Sequence, residues 1–271
     1  MALDSFKAEL WEKALLTQFK GNCVAEVLTL APTSVEGSCA HFNTASVAVG
    51  VKDYTGTVAA EDIETSSLEL YYDKQKYWAV KLDDVEKVQL AANVMMPVVN
   101  DLVYGIKKVV DTAIFKEGAD NAANKIGTAA AKKQITTPEQ AYNYIVELNT
   151  KLDTKDVPTE GRYIVAAPEF IALLQRDTRV LAYNAGVSVL NNGIMQGLDI
   201  AGCKVVKSNN VPAGTALVMY NKAIAFGKQI DKQEAYRDQG SFSDIVRGLI
   251  KYGVKCVRPE AIAVLHYAIA E

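Results

Sequence analysis

Residues 83–115 read DDVEKVQLAANVMMPVVNDLVYGIKKVVDTAIF, and this stretch decides the fold. Apolar side chains recur in it at alternating spacings of three and four residues, which is typical of one face of a long helix. This face consists of Val85, Val88, Ala92, Met95, Val99, Leu102, Ile106, Val109 and Ala113. A helix of about 30 residues is a rod of roughly 45 Å. We therefore predict one long helix as the central element.

The sequence also predicts where this helix begins and bends. Asp83 can cap its N-terminus, with Glu86 three residues further on completing a capping-box-like pair. Pro97 falls in the middle, where it removes one backbone hydrogen bond and should bend the rod, so we predict a hinge there. A coiled coil is the alternative, but the pattern stops after about four heptads and lacks consistent charged flanks. A single bent core helix is the better interpretation.

Two β-prone runs, 67–72 and 76–81, lie just before the helix and flank a short polar turn, Asp73-Lys74-Gln75. This pattern predicts a β-hairpin. Further upstream, residues 46–51 alternate like a strand and residues 53–56 carry a turn signal. Because a two-stranded ribbon is only marginally stable by itself, we expect the hairpin to lie on a neighbouring subunit. The candidate inter-subunit contacts on it are Tyr72, Lys74, Tyr77 and Trp78.

Residues 3–19 form a separate amphipathic pattern near the N-terminus. Its apolar stripe consists of Leu3, Phe6, Leu10, Trp11, Ala14, Leu15 and Phe19. Such a helix needs a surface on which to bury its stripe, and that surface can belong to a partner or to the same chain. For a partner, the candidate contacts are Phe6, Leu10 and Trp11. From Gly21 to Ala45 the sequence indicates an extended arm.

Helix and strand patterns alternate from 137 to 227, which indicates an α/β unit within an α+β chain. The predicted elements are a helix that begins at Thr137 and Pro138, a strand at 162–167, a helix from Pro168 to Leu174, and strands at 203–207, 216–220, 223–226 and 244–257. The buried stripe of the first helix is Ala141, Tyr144, Ile145, Leu148 and Leu152. Glycine and asparagine clusters predict an exposed flexible loop over 184–197, which includes Asn191 and Asn192. We expect 117–134 to be a loop with a short helical piece.

The composition limits the classes of function that the chain can serve. Of 271 residues, 49% are hydrophobic and 23% are charged, as in ordinary globular proteins. The formal net charge of -3 provides no basic face, so we expect any contact with DNA to be weak. Four scattered cysteines form no metal or disulfide pattern, and no apolar run approaches the roughly 20 residues that span a bilayer. We expect a soluble protein with reduced thiols.

The sequence contains no constellation of residues that carries catalysis. His41 and His266 are its two histidines, and neither lies in a motif. The acidic clusters at 61–64 and 83–86 are better explained as a solvated turn and a helix N-terminus than as cation ligands. Phosphate-binding glycine loops and the G-x-S-x-G elbow are missing. We predict no catalytic, cofactor-binding or metal-binding residues and no enzymatic activity.

Four stretches, taken in order, resemble one known family. They are 73–86 (DKQKYWAVKLDDVE), 161–170 (GRYIVAAPEF), 200–212 (IAGCKVVKSNNVP) and 247–261 (RGLIKYGVKCVRPEA). No single stretch is diagnostic, whereas the four in this order are specific. With the order of the elements, they make the chain from about residue 45 onward similar to the tailed-bacteriophage major capsid proteins of the Hong Kong 97 fold.

The resemblance implies a layout of four parts. These parts are an N-terminal arm (1–44), an extended β-hairpin loop (45–81), a peripheral domain with the long helix as its spine (82–135 and 228–258), and an α/β axial domain (136–227 and 259–271). The loop with Asn191 and Asn192 would lie near the fivefold and sixfold axes. Pro97, Asn191 and Asn192 complete the set of candidate inter-subunit or hinge residues.

The resemblance also implies a coat protein that self-assembles into pentamers and hexamers of an icosahedral shell around double-stranded phage DNA. The implied partners are other copies of the chain, a separate scaffolding protein and the portal protein, with decoration proteins as a further option and no membrane. The implied location is the virion, with assembly in the cytoplasm of the bacterial host. The alternative is an encapsulin, a cellular nanocompartment of the same fold. A soluble α/β enzyme is disfavoured by the missing catalytic groups.

Overall fold

The computed structural model describes residues 24–37, 39–45, 65–83, 95–183, 189–191, 194–238 and 240–270. The helices in this part are α1 (Val24–Val27), α2 (Met95–Asn121), α3 (Pro138–Asp153), α4 (Pro168–Arg176) and α5 (Thr178–Tyr183). The strands in this part are β1 (Ser34–Glu36), β2 (Cys39–Ala45), β3 (Thr65–Tyr71), β4 (Lys74–Asp83), β5 (Asn124–Ile126), β6 (Lys133–Ile135), β7 (Arg162–Ala166), β8 (Val189–Asn191), β9 (Ile194–Ile200), β10 (Cys203–Lys207), β11 (Thr215–Tyr220), β12 (Ile224–Arg237), β13 (Ser243–Cys256) and β14 (Ile262–Ile269). A single 3-10 turn, Pro259–Ala261, precedes β14. The chain is of the α+β class, as predicted.

The largest sheet follows the order β5-β14-β11-β7-β10-β9-β8, and β6 also pairs with β14. At its centre, β7 is parallel to β10 and antiparallel to β11. Both β7 and β11 are buried along most of their length. Strands buried on both faces are encoded by continuous apolar runs rather than by alternation, which is why the sequence predicted them. The strands expected at 162–167, 203–207 and 216–220 are confirmed.

Helix α3 packs against β14 and α4 beside this sheet. It begins as the sequence predicted, because the Thr137 hydroxyl oxygen accepts a hydrogen bond from the Gln140 backbone N–H at 3.4 Å and Pro138 occupies the first turn. The fully buried positions of the helix are Ala141, Ile145, Leu148 and Leu152. These four belong to the predicted stripe, and the fifth, Tyr144, packs against the core while only partly buried.

A second sheet of three antiparallel strands follows the order β12-β13-β4. Strand β4 is aligned with β13 from Asp83 opposite Ser243 to Lys74 opposite Tyr252. Helix α2 lies against this sheet and contacts β13. The apolar α2 side chains that are at most 1% exposed are Val103, Val110, Ile114 and Phe115. The helix therefore joins the second sheet to the rest of the core.

The hairpin predicted from 67–72 and 76–81 is wrong in its pairing. Both runs are strands, but β3 pairs with β2 and β4 pairs with β13. At Tyr72 the chain passes from the sheet that contains β2 and β3 to the sheet that contains β13 and β4. A polar turn between two β-prone runs is compatible with either arrangement, because alternation predicts a strand without naming its partner. Residues 46–64, with the turn predicted at 53–56, lie outside the described residues.

Helix α2 overlaps the predicted helix from Met95 onward and ends at Asn121 rather than at 115. Asp83, the predicted cap, is the last residue of β4. Residues 84–94, which include its expected partner Glu86, lie outside the described part of the chain. Pro97 is the third residue of α2 as described, and its role as a hinge stays a prediction.

Two segments that we predicted to be loops carry regular structure. The first, 117–134, contains the end of α2, strand β5 and the start of β6, and both strands pair with β14 of the large sheet rather than with the peripheral strands. The second, 184–197, contains β8 and most of β9, which pair with each other in antiparallel fashion. Asn191 ends β8, and Asn192 lies outside the described residues. The glycine and asparagine residues in both segments are typical of loops, so the sequence did not predict these short strands.

The segment predicted as an extended arm is packed on the chain from Val24 onward. Val24, Ala25 and Leu28 are buried, and Leu30 forms an isolated parallel bridge with Ala225. The chain then enters a third sheet, β1-β2-β3. The predicted scaffold contacts Phe6, Leu10 and Trp11 precede the described residues. The boundaries of the four implied parts stay predictions.

Candidate assembly surfaces

A groove of about 540 Å³ separates β4 from the N-terminal half of α2. Its lining residues are Lys76, Tyr77, Trp78, Val80, Asp101, Leu102, Gly105, Ile106, Val109, Val110, Ile250 and Tyr252. Most of these present carbon to the opening, while Lys76 and Asp101 supply the charge. A concave apolar surface on an isolated chain can bury the apolar groups of another molecule.

Trp78 shapes this groove from within the chain. Its cross-strand partner on β13 is Gly248. A Cβ atom built on Gly248 would lie 2.5 Å from Cε2 and 2.7 Å from Cη2 of Trp78, so the indole ring occupies the space of the missing side chain. Trp78 is consequently only 8% exposed, and its Nε1 has no hydrogen-bond partner among the described residues.

Tyr72 packs in the same manner against Gly227 of β12. A Cβ atom built on Gly227 would lie 2.5 Å from Cε1 and 2.8 Å from the hydroxyl oxygen of Tyr72. The ring belongs to a small apolar cluster with Ala40, Phe42, Leu70 and Ala225, which attaches the third sheet to β12. Burial raises the pKa of the Tyr72 hydroxyl, with the Cys39 thiol as a smaller cause.

The burial of these two rings corrects their predicted role. Tyr72 is 5% exposed and Trp78 is 8% exposed, so each ring is buried mainly within its own chain and leaves little surface for another subunit. Tyr72 instead packs the third sheet onto β12, and Trp78 packs against β13 within the second sheet. The alternation in the sequence predicted strands but could not separate an inward aromatic side chain from an outward one without the strand partners.

Tyr77 and Lys74 occupy different surroundings on β4. Tyr77 is 82% exposed at the edge of the groove, and Lys74 is partly buried at the start of the strand. Across the groove, Gly105 of α2 has no atom within 4 Å of a built Cβ. A glycine inside a helix costs about 1 kcal/mol relative to alanine, and no close contact with the described residues compensates for this cost at Gly105.

Other large aromatic side chains are also left in solvent. Phe242, in the turn between β12 and β13, and Tyr104, on α2, are among the most exposed hydrophobic residues of the described chain. Tyr71 on β3 is exposed too, and its hydroxyl donates a hydrogen bond to Glu69 at 2.7 Å. This hydrogen bond, followed by the repulsion from the Glu69 charge, raises the pKa of Tyr71.

The first described helix is fastened to α2 and β12 by polar contacts. The Asp111 carboxylate of α2 accepts hydrogen bonds from the Ala25 backbone N–H at 3.1 Å and from the Asn210 side-chain amide at 3.3 Å. Glu26 forms an ion pair with Lys228 at 2.6 Å. Helix α1 is therefore held in a fixed position against α2 and β12. The sequence pattern gave no signal for Asp111, which sits between apolar positions of an amphipathic helix.

A buried arginine closes the C-terminal end of α3, and it too was missed by the sequence analysis. Arg162 of β7 is 2% exposed and donates to the Pro158 carbonyl at 2.9 Å and to the Val157 carbonyl. It also contacts the Asn149 side chain and forms an ion pair with Asp153 at 2.7 Å. Because the guanidinium offers five donors in a planar fork, it can satisfy several acceptors at once.

The titratable groups offer little chemistry. Among the described residues, no cluster of three or more His, Cys, Asp or Glu side chains could hold a metal ion. Burial raises the pKa of Cys203 and of Cys256 to about 11, so both thiols stay protonated at neutral pH. Burial, with Lys125 and Lys132 nearby, lowers the pKa of His266. No helix in the described ranges has the length and hydrophobicity to cross a bilayer.

Solved structures of phage shells have the same fold. The chain is similar to a structure from Mycobacterium phage Che8, with a TM-score of 0.65, 26% identity and coverage of 85% of both chains. It is similar to the capsid of Cyanophage P-SCSP1u, with a TM-score of 0.65 and 19% identity over 92% of this chain and 89% of that chain. A virus-like particle from Pyrococcus furiosus matches with a TM-score of 0.59 and 15% identity over 96% of this chain and 99% of that chain.

The sequence itself leads to the same family. A search of curated proteins finds no significant match. A family model described as "Phage capsid protein", however, matches residues 71–265, which is more than half of the chain and includes all four of the stretches quoted above. With the likeness of its fold to solved phage capsids, this match shows that the chain belongs to the phage capsid proteins and is a shell subunit of the Hong Kong 97 fold.

Proposed function

We propose that the chain is the major coat subunit of a tailed bacteriophage and forms the pentamers and hexamers of an icosahedral shell around double-stranded DNA. The observation that carries the proposal is the family match over residues 71–265. The groove beside α2 and the exposed ring of Tyr77 support it, because the described part of a single chain leaves them uncovered and identical neighbours would cover them. Such contacts can each be modest, since closure of the shell multiplies them.

The subunit's expected relation to DNA is containment without tight binding. With a formal net charge of -3, the chain has no excess of basic residues to hold the phosphate backbone. We expect DNA contact to depend weakly on sequence and to be lost at moderate salt. We expect no catalytic activity, a location in the virion and assembly in the cytoplasm of the bacterial host.

A separate scaffolding protein, a portal protein and decoration proteins complete the proposed set of partners. Phe6, Leu10 and Trp11 are the proposed scaffold contacts. Deletion of residues 2–20 should then disturb the assembly of correct shells, because the apolar stripe that recruits the scaffold would be lost. Normal particles from the deleted chain, produced together with the scaffold, would remove this part of the proposal.

The second candidate is a cellular nanocompartment that encloses protein cargo. The similarity to the virus-like particle from Pyrococcus furiosus, over nearly the whole of both chains, favours keeping it. The two functions differ in what the particles contain. DNA in particles purified from an infected or lysogenic host supports the phage shell, whereas particles filled with a host enzyme support the compartment.

Electron microscopy of the expressed protein tests the proposal most simply. The purified chain should be applied to a sizing column over a range of concentrations, and each peak should be examined in negative stain. We expect rings of five or six subunits, or closed shells. A small oligomer that stays the same size at every concentration, with the scaffold present, would rule out a shell subunit.

A further inference from the structure

The turn between β12 and β13 holds an apolar aromatic ring in solvent. Phe242 is 81% exposed, and its side chain has no polar atom with which water could form a hydrogen bond. The two strands remain paired up to Arg237 opposite Asp244, so the turn projects from an ordered ladder. Single exposed apolar side chains are common on protein surfaces. This ring differs from them in its position, because it lies in a turn that projects from an ordered pair of strands, where it can be buried by another molecule.

Polar contacts hold this turn in one shape. The Asp238 carboxylate accepts hydrogen bonds from the Ser241 hydroxyl at 2.6 Å and from the Gly240 backbone N–H at 3.2 Å. The same carboxylate forms an ion pair with Lys81 of β4 at 3.2 Å. The Asp238 backbone N–H donates to the carbonyl of Ser243, which is fully buried. The turn is thus attached by polar contacts to the two other strands of its sheet, β13 and β4.

We propose that Phe242 is an anchor residue that is buried against a second copy of the chain when the shell assembles, and that the Asp238 contacts hold it ready for this. The inference rests on the proposed shell function. A ring already held in position loses little conformational freedom on binding, so most of its burial contributes to association. The partner is a second copy because a shell of identical subunits surrounds each chain with others of the same kind.

Assembly at controlled concentration tests the anchor. Phe242→Ser should raise the protein concentration needed for assembly at least tenfold, equal to about 1.4 kcal/mol per contact. Phe242→Leu, which keeps an apolar side chain, should restore most of the loss. Asp238→Ala should also raise the concentration needed for assembly. It keeps the Phe242 ring but removes the contacts that hold the turn, so the ring loses more conformational freedom on binding. Val146→Ser, which removes an exposed apolar side chain from α3, is the matched control and should change little.

A change in folding would also weaken assembly, so the thermal unfolding of each free subunit must be measured. Phe242→Ser should leave the midpoint unchanged, because the side chain is already exposed. A lowered midpoint that accounts for the assembly defect would overturn the proposal. So would assembly of Phe242→Ser at the wild-type concentration.

Cysteine labelling identifies what covers the ring. A Phe242→Cys chain should react rapidly with a maleimide as a free subunit and at least tenfold more slowly in the closed shell, whereas Val146→Cys should react in both; the wild-type chain gives the background. Equal rates at position 242 in the free subunit and the closed shell would overturn the proposal. So would protection that is lost when the scaffold is removed from closed shells, or that appears only when a decoration protein is added to them. If the wild-type chain forms no particles in any condition, the proposed function itself fails, and that result is distinct from particles with a reactive Cys at 242.

Discussion

Adding one methyl group at Gly248 should destabilise the subunit, although glycine to alanine changes within strands are otherwise favourable. The new Cβ would lie 2.5 Å from Cε2 and 2.7 Å from Cη2 of Trp78, well inside normal contact distance. The indole ring must then move into the groove, or β13 must shift away from β4. Overpacking of this kind costs about 1–3 kcal/mol, and the loss of unfolded-state entropy offsets about 0.4–1 kcal/mol. We expect a net loss of about 1–2 kcal/mol.

Urea unfolding of the free subunit, followed by circular dichroism, measures this change. Gly105→Ala is the matched control, because nothing lies within 4 Å of its built Cβ and an alanine in the middle of α2 should stabilise the helix by about 1 kcal/mol. The same substitution should therefore have opposite signs at the two glycines.

A double-mutant cycle assigns the loss at Gly248 to the indole ring. When Trp78 is first replaced by leucine, the penalty of Gly248→Ala should shrink or disappear, because the atoms that collide are gone. An unchanged penalty in the Trp78→Leu chain, or a Gly248→Ala chain as stable as the wild type, would refute the reasoning.

Three further outcomes are expected. Arg162→Met should lower the free energy of unfolding by about 3 kcal/mol, because several buried acceptors lose their donor, and urea unfolding should show it. Asp111→Ala should speed limited proteolysis near Ala25, because the backbone contact that fastens α1 is removed; cleavage at the wild-type rate would count against this anchoring. Cys203 and Cys256, with pKa values of about 11, should react slowly with a disulfide reagent at pH 8 and faster as the pH rises toward 11, because only the thiolate reacts; fast reaction at pH 8 in a chain whose Cys23 and Cys39 are replaced by serine would contradict their burial.

The parts of the fold that the sequence predicted are those encoded by local pattern. The cap of helix α3, Thr137, lies one turn before the first residue of its apolar stripe, Ala141. Because both signals are close together in the sequence, they predict the helix without knowledge of its partners. The central strands of the large sheet are short apolar runs between turn signals, and they were located for the same reason. The four stretches quoted above, together with the order of the elements, indicated the family.

The parts that were missed depend on contacts between distant residues. Nothing in the run around Tyr72 shows that β3 pairs with β2 while β4 pairs with β13. Trp78 was expected to face another subunit, but a glycine at position 248, far along the chain, makes room for its ring inside the subunit. Phe242 was not singled out, because its exposure follows from the contacts that shape its turn. A glycine inside a strand pattern was the one available signal, since it often marks close approach.

The central claim is that a single chain leaves apolar surfaces uncovered which identical chains cover in a closed shell. A cryo-electron microscopy reconstruction of particles purified with their scaffold measures this directly. The account predicts an icosahedral shell in which Tyr77, Phe242 and the groove beside α2 are buried between subunits. A shell that leaves all three facing solvent would contradict it.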